Sequence, residues 1–228
     1  MENRQELIDQ VVVTAKQMRD IEGRIFAGGM PVAALMEKVA GLIARWMIQN
    51  IPGSKRIGVL VGPGHNGGDA LVVARELHFR GYGIKIYSPF RKHKDLTAQH
   101  LQYAQGLGIP CSSDIEELCD RDIFVDGLFG FGLEIDIKNP IASAIDQINQ
   151  WYIPVISIDI PSGLHTDTGN VLGVAIRATH TLCLGLWKLG LLQEQALDYV
   201  GKAELIDFDI PGADIQAHAD GNSNVFSQ

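Results

Sequence analysis

The chain has 228 residues, 46% of them hydrophobic and 20% charged, a globular balance that a single α/β core accommodates. Its formal charge of −8 argues against a protein built to hold nucleic acid, because such domains carry basic patches against phosphates. No run approaches the roughly eighteen apolar residues of a membrane span. The polar start Met1-Glu2-Asn3-Arg4-Gln5-Glu6 lacks the apolar stretch of a signal peptide. Cys111, Cys119 and Cys183 form neither a CxxC pair nor an even set. The expectation is a cytoplasmic protein with free thiols and no membrane contact.

Residues 14–28 read as a helix with Thr14 as N-cap and Met18, Ile21, Ile25 and Phe26 on one face. Pro31 opens a second helix. Its wide apolar face, Leu35, Met36, Val39, Leu42, Ile43 and Trp46, predicts burial on the main sheet or on a second subunit. The pattern then changes to a strand at 57–61, a glycine-rich turn and a helix over about 69–80. A strand at 84–87, a helix at 96–107 and a strand at 123–126 follow. Next come a helix at 141–148, a strand at 155–158, and closing strands at 181–184 and 203–208. Unbroken apolar strands alternating with helices predict an α/β fold: a doubly wound, mostly parallel sheet in a Rossmann-like three-layer αβα, preceded by two N-terminal helices. One domain is expected over 1–212. A polar, flexible tail is expected over 213–228, with Asn222-Ser223-Asn224 its most disorder-prone part.

In an open α/β sheet the ligand sits outside the carboxyl ends of the strands, and three predicted strand ends are unusual. The first, Gly62-Pro63-Gly64-His65-Asn66-Gly67-Gly68-Asp69, matches GxGxxG between a strand and a helix. Its glycines let backbone approach a ligand, and a helix N-terminus favours phosphate. The alternative is a tight turn with no ligand, which has no need of Asn66 and Asp69. A dehydrogenase would place an acid at the end of the next strand to hold a ribose. Here that strand ends Tyr87-Ser88-Pro89, with Arg91 and Lys92 beyond, which disfavours a conventional NAD(P)-dependent oxidoreductase.

The second strand end is Val125-Asp126-Gly127-Leu128-Phe129-Gly130-Phe131-Gly132-Leu133. It reads as a loop wrapped closely round a ligand, or as Asp126 capping a helix. The third is Ser157-Ile158-Asp159-Ile160-Pro161-Ser162-Gly163-Leu164, with Asp167-Thr168-Gly169 following. A partly shielded carboxylate such as Asp159 is a good general acid or base; an Asx-type turn fits the same residues. Lys188 either closes the same cleft or is solvated. The seven histidines show no zinc-ligand spacing, and Ser162 lies in Pro-Ser-Gly, not GxSxG.

These motifs, with Met18-Arg19-Asp20-Ile21-Glu22 and Leu35-Met36-Glu37, resemble the NAD(P)H-hydrate epimerases, the YjeF N-terminal domain family, over about residues 14–211. The family patterns G-x-G-N-N-G-G-D-G, V-D-A-L-F-G-T-G-L and D-I-P-S-G-L followed by D-x-T-G are met at 62–70, 125–133, 159–164 and 167–169. The resemblance implies an isomerase of nicotinamide cofactor repair. Such an enzyme interconverts the R and S forms of hydrated NADH and NADPH (NADHX and NADPHX) at C6, beside a dehydratase that consumes one form.

The resemblance further implies a phosphate and nucleoside loop of His65, Asn66, Gly67, Gly68 and Asp69. It implies a second substrate loop of Gly130, Phe131, Gly132, Leu133, Glu134, Ile135 and Asp136, and a substrate contact from Asp159. Oxygens of Asn66, Asp126 and Ser162 would bind a potassium ion, which suits a hard cation. Chemically, C6 of the hydrate is a hemiaminal carbon: a protonated hydroxyl leaves as water, the ring nitrogen forms an iminium, and water returns on either face. Asp159 is assigned as the carboxyl that donates the proton and then faces the cation, with Lys188 as a helper. His65, Ala70 and Phe131 depart from the family pattern.

In many organisms the family's domain is fused to a dehydratase. The expectation here is a separately encoded dehydratase partner, or a chain that is half of a bifunctional enzyme. A homodimer through the two N-terminal helices is expected from their apolar faces and from the resemblance. The competing reading is a non-catalytic ligand- or protein-binding module, since relatives act as scaffolds in RNA decay and bind apolipoprotein; the presence of Asp126 and Asp159 speaks against it.

Overall fold

A computed structural model describes residues 4–222. The chain opens with α1 (Arg4–Asp9) and the short strand β1 (Val12–Val13), followed by α2 (Ala15–Ala27) and α3 (Val32–Asn50). Thr14 starts α2 with a capping box: its hydroxyl accepts from Gln17 N, and the Gln17 side chain accepts from Thr14 N at 2.8 Å. Strands and helices then alternate through β2 (Arg56–Val61), α4 (His65–His78), β3 (Gly83–Tyr87), α5 (Asp95–Gly106), β4 (Cys111–Ser112) and β5 (Ile123–Gly127). After these come α6 (Ile141–Trp151), β6 (Val155–Ile158), β7 (His180–Leu184), β8 (Trp187–Lys188), α7 (Leu197–Val200), β9 (Lys202–Ile206) and α8 (Gly212–Asn222).

Seven strands form one sheet in the order β4-β3-β2-β5-β6-β7-β9, with parallel neighbours throughout. From β2 the chain winds outward through β3 and β4, then returns to β5 on the other side. This is the doubly wound, Rossmann-like architecture expected from the alternating pattern. The reversal leaves a crevice at the carboxyl ends of β2 and β5. One face is covered by α4 with α3 laid upon it, and Leu71, Val73, Ile57 and Val59 share that core with Leu35, Met36, Val39, Ile43 and Met47. Most of the apolar face of α3 is thus spent inside the chain, with Leu42 and Trp46 half-buried. The other face is covered by α6, where Ile141, Ile145 and Ile148 meet Leu60 and Phe124.

Three local expectations change. The helix after β2 begins at His65, four residues ahead of Asp69, because Gly67 and Gly68 form its first turn and do not precede it. A Cβ at Gly67 would lie 2.0 Å from Gly62 O, so only glycine lets this turn close against the strand end. Residues 213–222, read from sequence as the start of a tail, belong to α8 (Gly212–Asn222): Ile215 is fully buried and Asp214 pairs with Arg24 at 2.6 Å. The rest of that anticipated tail, Ser223 and Asn224 included, lies outside the described residues, as do Met1, Glu2 and Asn3. The third change is a latch that no periodicity announces. β1 pairs with β8, placing Val13 opposite Lys188, and Arg4 forks onto both Asp207 oxygens at 2.6 and 2.7 Å. Among the described residues, no helix is long and apolar enough to cross a membrane.

Candidate active site

The crevice holds a cavity of about 550 Å³, within the usual range for small-molecule sites. Its walls come from α2 and α3, from the turn after β2, from the loop after β5 and from the end of β6. Two contacts from the start of α5 pin the glycine-rich turn: Lys94 N donates to Pro63 O at 2.9 Å, and the buried Thr97 hydroxyl donates to Gly64 O at 2.8 Å. His65, Asn66 and Asp69 face the cavity, whereas Gly67 and Gly68 serve packing, the latter against Met36.

Asp159 sits at the floor in the left-handed region, φ +71°, a strained setting for a residue other than glycine and one that Asp tolerates better than most. Its backbone N–H donates to Leu182 O at 2.8 Å, its Oδ2 accepts from Phe131 N at 3.1 Å, and its Oδ1 lies 2.6 Å from Lys188 Nζ. The lysine is therefore not solvated: both side chains are buried, and Nζ also donates to Leu184 O. Burial works against the Lys188 charge, but Asp159, with Cys183 and Glu22, outweighs it and raises the lysine pKa above its ordinary value. Gly130 stands between the walls, since a Cβ there would lie 3.3 Å from both Asn66 Cγ and Asp159 Oδ2.

Asp126 caps no helix. It is fully buried beneath the cavity floor, accepting from Leu128 N (3.2 Å), Ser157 Oγ (2.8 Å), Ser162 N (2.9 Å) and Ser162 Oγ (2.6 Å). It ties the ends of β5 and β6 together. Burial raises its pKa against these hydrogen bonds. Ser162 completes the tie by accepting from Phe129 N at 2.8 Å. In the loop after β5, Gly130, Phe131, Gly132 and Leu133 line the cavity. Glu134, Ile135 and Asp136 fall outside the wall: Glu134 faces His165 at 3.4 Å, Ile135 is 74% exposed and Asp136 packs near Gly173. Asp167 caps α2, accepting from Ala15 N at 2.6 Å.

Sequence reasoning missed the contribution of α2 and α3 to the site. Met18, Arg19, Glu22 and Phe26 from α2 face the cavity, with Leu35, Met36 and Val39 from α3. The spacing of Met18 and Glu22, one helical turn apart, and the segment Met18-Arg19-Asp20-Ile21-Glu22 among the family motifs are the signals for this, although neither assigns these side chains to the site. Three carboxyls, Glu22, Asp69 and Asp159, thus line one cavity with the buried Lys188. Burial, reinforced by Asp159, pushes Glu22 from 4.5 up to about 7. Burial, then Asp159 and Glu22, push Asp69 well above the carboxylate range. Burial and Lys94 lower His65.

Fold and site define a Rossmann-like α/β protein with an acidic cleft at the switch point of its sheet. The family model described as YjeF-related protein N-terminus matches residues 32–190, and the chain belongs to that family. It is 55% identical over 207 residues to the bifunctional NAD(P)H-hydrate repair enzyme Nnr of Thermosynechococcus vestitus, covering 90% of this chain and 41% of that one. It is 35% identical over 201 residues to the NAD(P)H-hydrate epimerase of Limosilactobacillus fermentum, covering 86% of this chain and 95% of that one. The crystal structure of yeast ynu0 superposes with a TM-score of 0.72 at 26% identity, over 78% of this chain and 82% of that one. The chain thus spans about two-fifths of the length of the bifunctional relatives and nearly all of the shorter one.

Proposed function

We propose that this chain is an NAD(P)H-hydrate epimerase, an isomerase that interconverts the R and S forms of NADHX and NADPHX at C6. The observation that carries the reading is the buried Asp159–Lys188 pair, 2.6 Å apart, at the floor of a cleft that opens beside the glycine-rich turn. The turn, with His65, Asn66 and Asp69 on the wall, suits the dinucleotide. The Asp159 carboxylate, fixed by Lys188 and Phe131 N, suits the positive charge that develops as C6 loses its hydroxyl. The functional partner in this reading is an NAD(P)H-hydrate dehydratase that consumes one epimer, and the setting is the cytoplasm. In a mixture of epimers from which an S-specific dehydratase has exhausted the S form, adding the protein is expected to restart NADH release well above the spontaneous rate. Asp159→Asn is expected to slow that restart about 10²–10³-fold. No restart with folded wild-type protein sinks the reading.

The residues present fit a potassium ion. Asn66, Asp126 and Ser162 can each offer a side-chain oxygen, the donor type of a hard cation. The Asn66 amide is buried with its Nδ2 unpartnered, and an amide turned end for end presents its oxygen instead. The Ser162 hydroxyl can swing from Asp126 to Phe129 O, 3.2 Å away, freeing a carboxylate lone pair. These residues would hold the ion, and when bound it would supply positive charge beneath the cleft. Binding to the folded state alone raises thermal stability, so the melting temperature is expected to be higher in potassium chloride than in equimolar tetramethylammonium chloride. Asp126→Asn is expected to abolish the difference, and equal melting of the wild type in both salts overturns the assignment. The homodimer through α2 and α3 remains part of the proposal: Met18, Ile21, Leu35, Met36, Val39 and Ile43 are spent inside the chain, whereas Ile25, Phe26, Leu42 and Trp46 are half-buried. Gel filtration decides it.

A further inference from the structure

The epimerase reading leaves one carboxyl of the cleft without a task. Glu22 stands on the cavity wall one turn after Met18 and is half-buried. Among the described residues its carboxyl makes no ion pair and no side-chain hydrogen bond. The charged groups facing it are Asp159 and Lys188 on the floor, Asp69 on α4, Arg19 on its own helix and Lys94 at the start of α5, with His65 on the same wall. Its helix is fixed in place by the Thr14 capping box and by Asp167 on Ala15 N. Asp159, by contrast, is engaged on both oxygens, by the Lys188 ammonium and by Phe131 N. That arrangement suits an anion facing a cation and offers no proton.

We propose that Glu22 is a further catalytic residue: the group that exchanges the proton with the C6 hydroxyl of the hydrate while Asp159 remains the anion facing the ring. This rests on the epimerase reading and moves the proton donor from Asp159 to α2. The Glu22 carboxyl gives its proton to the hydroxyl oxygen as the C6–O bond breaks and its electron pair leaves with water. The lone pair of the ring nitrogen forms the nitrogen–C6 double bond. When water returns to the other face, its oxygen forms the new C6–O bond and the double-bond pair goes back to nitrogen. The surplus proton returns to the Glu22 carboxylate. Nothing is oxidised or reduced, and Glu22 ends as it began. A carboxyl held at about 7 is present in both forms near neutrality, as one group acting in turn as acid and base requires.

The test is the pH profile of the coupled assay for wild type, Glu22→Gln and Glu22→Ala. Because the hydrate needs protonated Glu22, wild-type kcat is expected to fall as pH rises through about 7. Glu22→Gln is expected to lower kcat about 10²–10⁴-fold, with KM little changed, and to remove that alkaline fall. Glu22→Ala is expected to be as slow and to regain rate when formate is added. A second readout is independent of activity. The carboxyl loses a proton near 4.5 when unfolded and near about 7 when folded, so its favourable contribution is present below pH 4.5 and is lost as pH rises through 7. Glu22→Gln is therefore expected to melt above wild type at pH 8 and close to it at pH 4. Wild-type kcat in Glu22→Gln, or an alkaline fall that persists in it, removes the role from Glu22. An inactive wild type sinks the epimerase reading itself. If Glu22→Gln does not fold, Glu22→Asp carries the profile: a reduced kcat with the fall retained supports the role, and an unchanged kcat overturns it.

Discussion

Lys188→Met is expected to lose about 3–5 kcal/mol of stability, the cost of leaving one member of a buried ion pair alone. Methionine matches the length of the lysine stem and tolerates irregular packing, so the loss reports the charge and not a cavity. The stranded group is Asp159, 3% exposed, left with Phe131 N as its hydrogen-bond donor. Adding Asp159→Asn to Lys188→Met is expected to recover most of the loss. A neutral amide still accepts from Phe131 N, Asn tolerates the left-handed conformation, and no charge remains buried. Guanidinium denaturation of the two single variants and the double variant measures this as a coupling energy. Additive losses, or a loss below about 1 kcal/mol in Lys188→Met, would mean that the pair is solvated. Under the proposed function, turnover in the coupled assay is expected to stay lost in the double variant even where stability returns, which separates the structural role of the pair from the proposed chemical one.

Gly62→Ala is expected to be the most damaging change in the glycine-rich turn and Gly64→Ala the mildest, although both belong to the same motif. A Cβ at Gly62 would lie 1.6 Å from Leu128 O and 2.5 Å from Leu128 C. Both are backbone atoms of the loop that Asp126 and Ser162 hold down, so neither side can yield by turning a side chain. The cost should exceed the ~1–3 kcal/mol of ordinary overpacking, enough to open the turn or unfold the domain. At Gly64 no atom lies within 4 Å of the added carbon and φ is −95°, so alanine there should change stability by less than ~1 kcal/mol. Gly68→Ala falls between them, because its nearest atoms are the flexible end of Met36 at 2.6 and 2.8 Å. Thermal melts of the three variants give the ranking. Equal melting of Gly62→Ala and Gly64→Ala would mean that the turn and the loop after β5 do not meet as described.

The fold was largely legible because its strands are apolar runs buried on both faces, which local composition reports directly. Val155–Ile158 coincides with the predicted strand, and every other strand of the core predicted from sequence lies within a few residues of its observed place. What escaped were elements too short or too polar to carry a period. The two-residue β1 and β8 are made by pairing with each other, and α8 is held by one buried isoleucine and an ion pair. The start of α4 was misplaced because glycines read as a turn even where tertiary crowding forces them into a helix.

The sequence by itself determined the alternation of strands and helices, the glycine-rich turn at the end of β2 and the acids that close β5 and β6. Each of these is written in consecutive residues and obeys local stereochemistry. Only the tertiary structure decided what the acids do. Sheet order brought Asp159 to Lys188 and sank Asp126 beneath the floor among four donors, and the packing of α2 across the cleft turned Glu22 inward. A carboxyl's environment is set by groups remote in the chain, and the distance to them depends on strand order and helix docking, which no local period encodes.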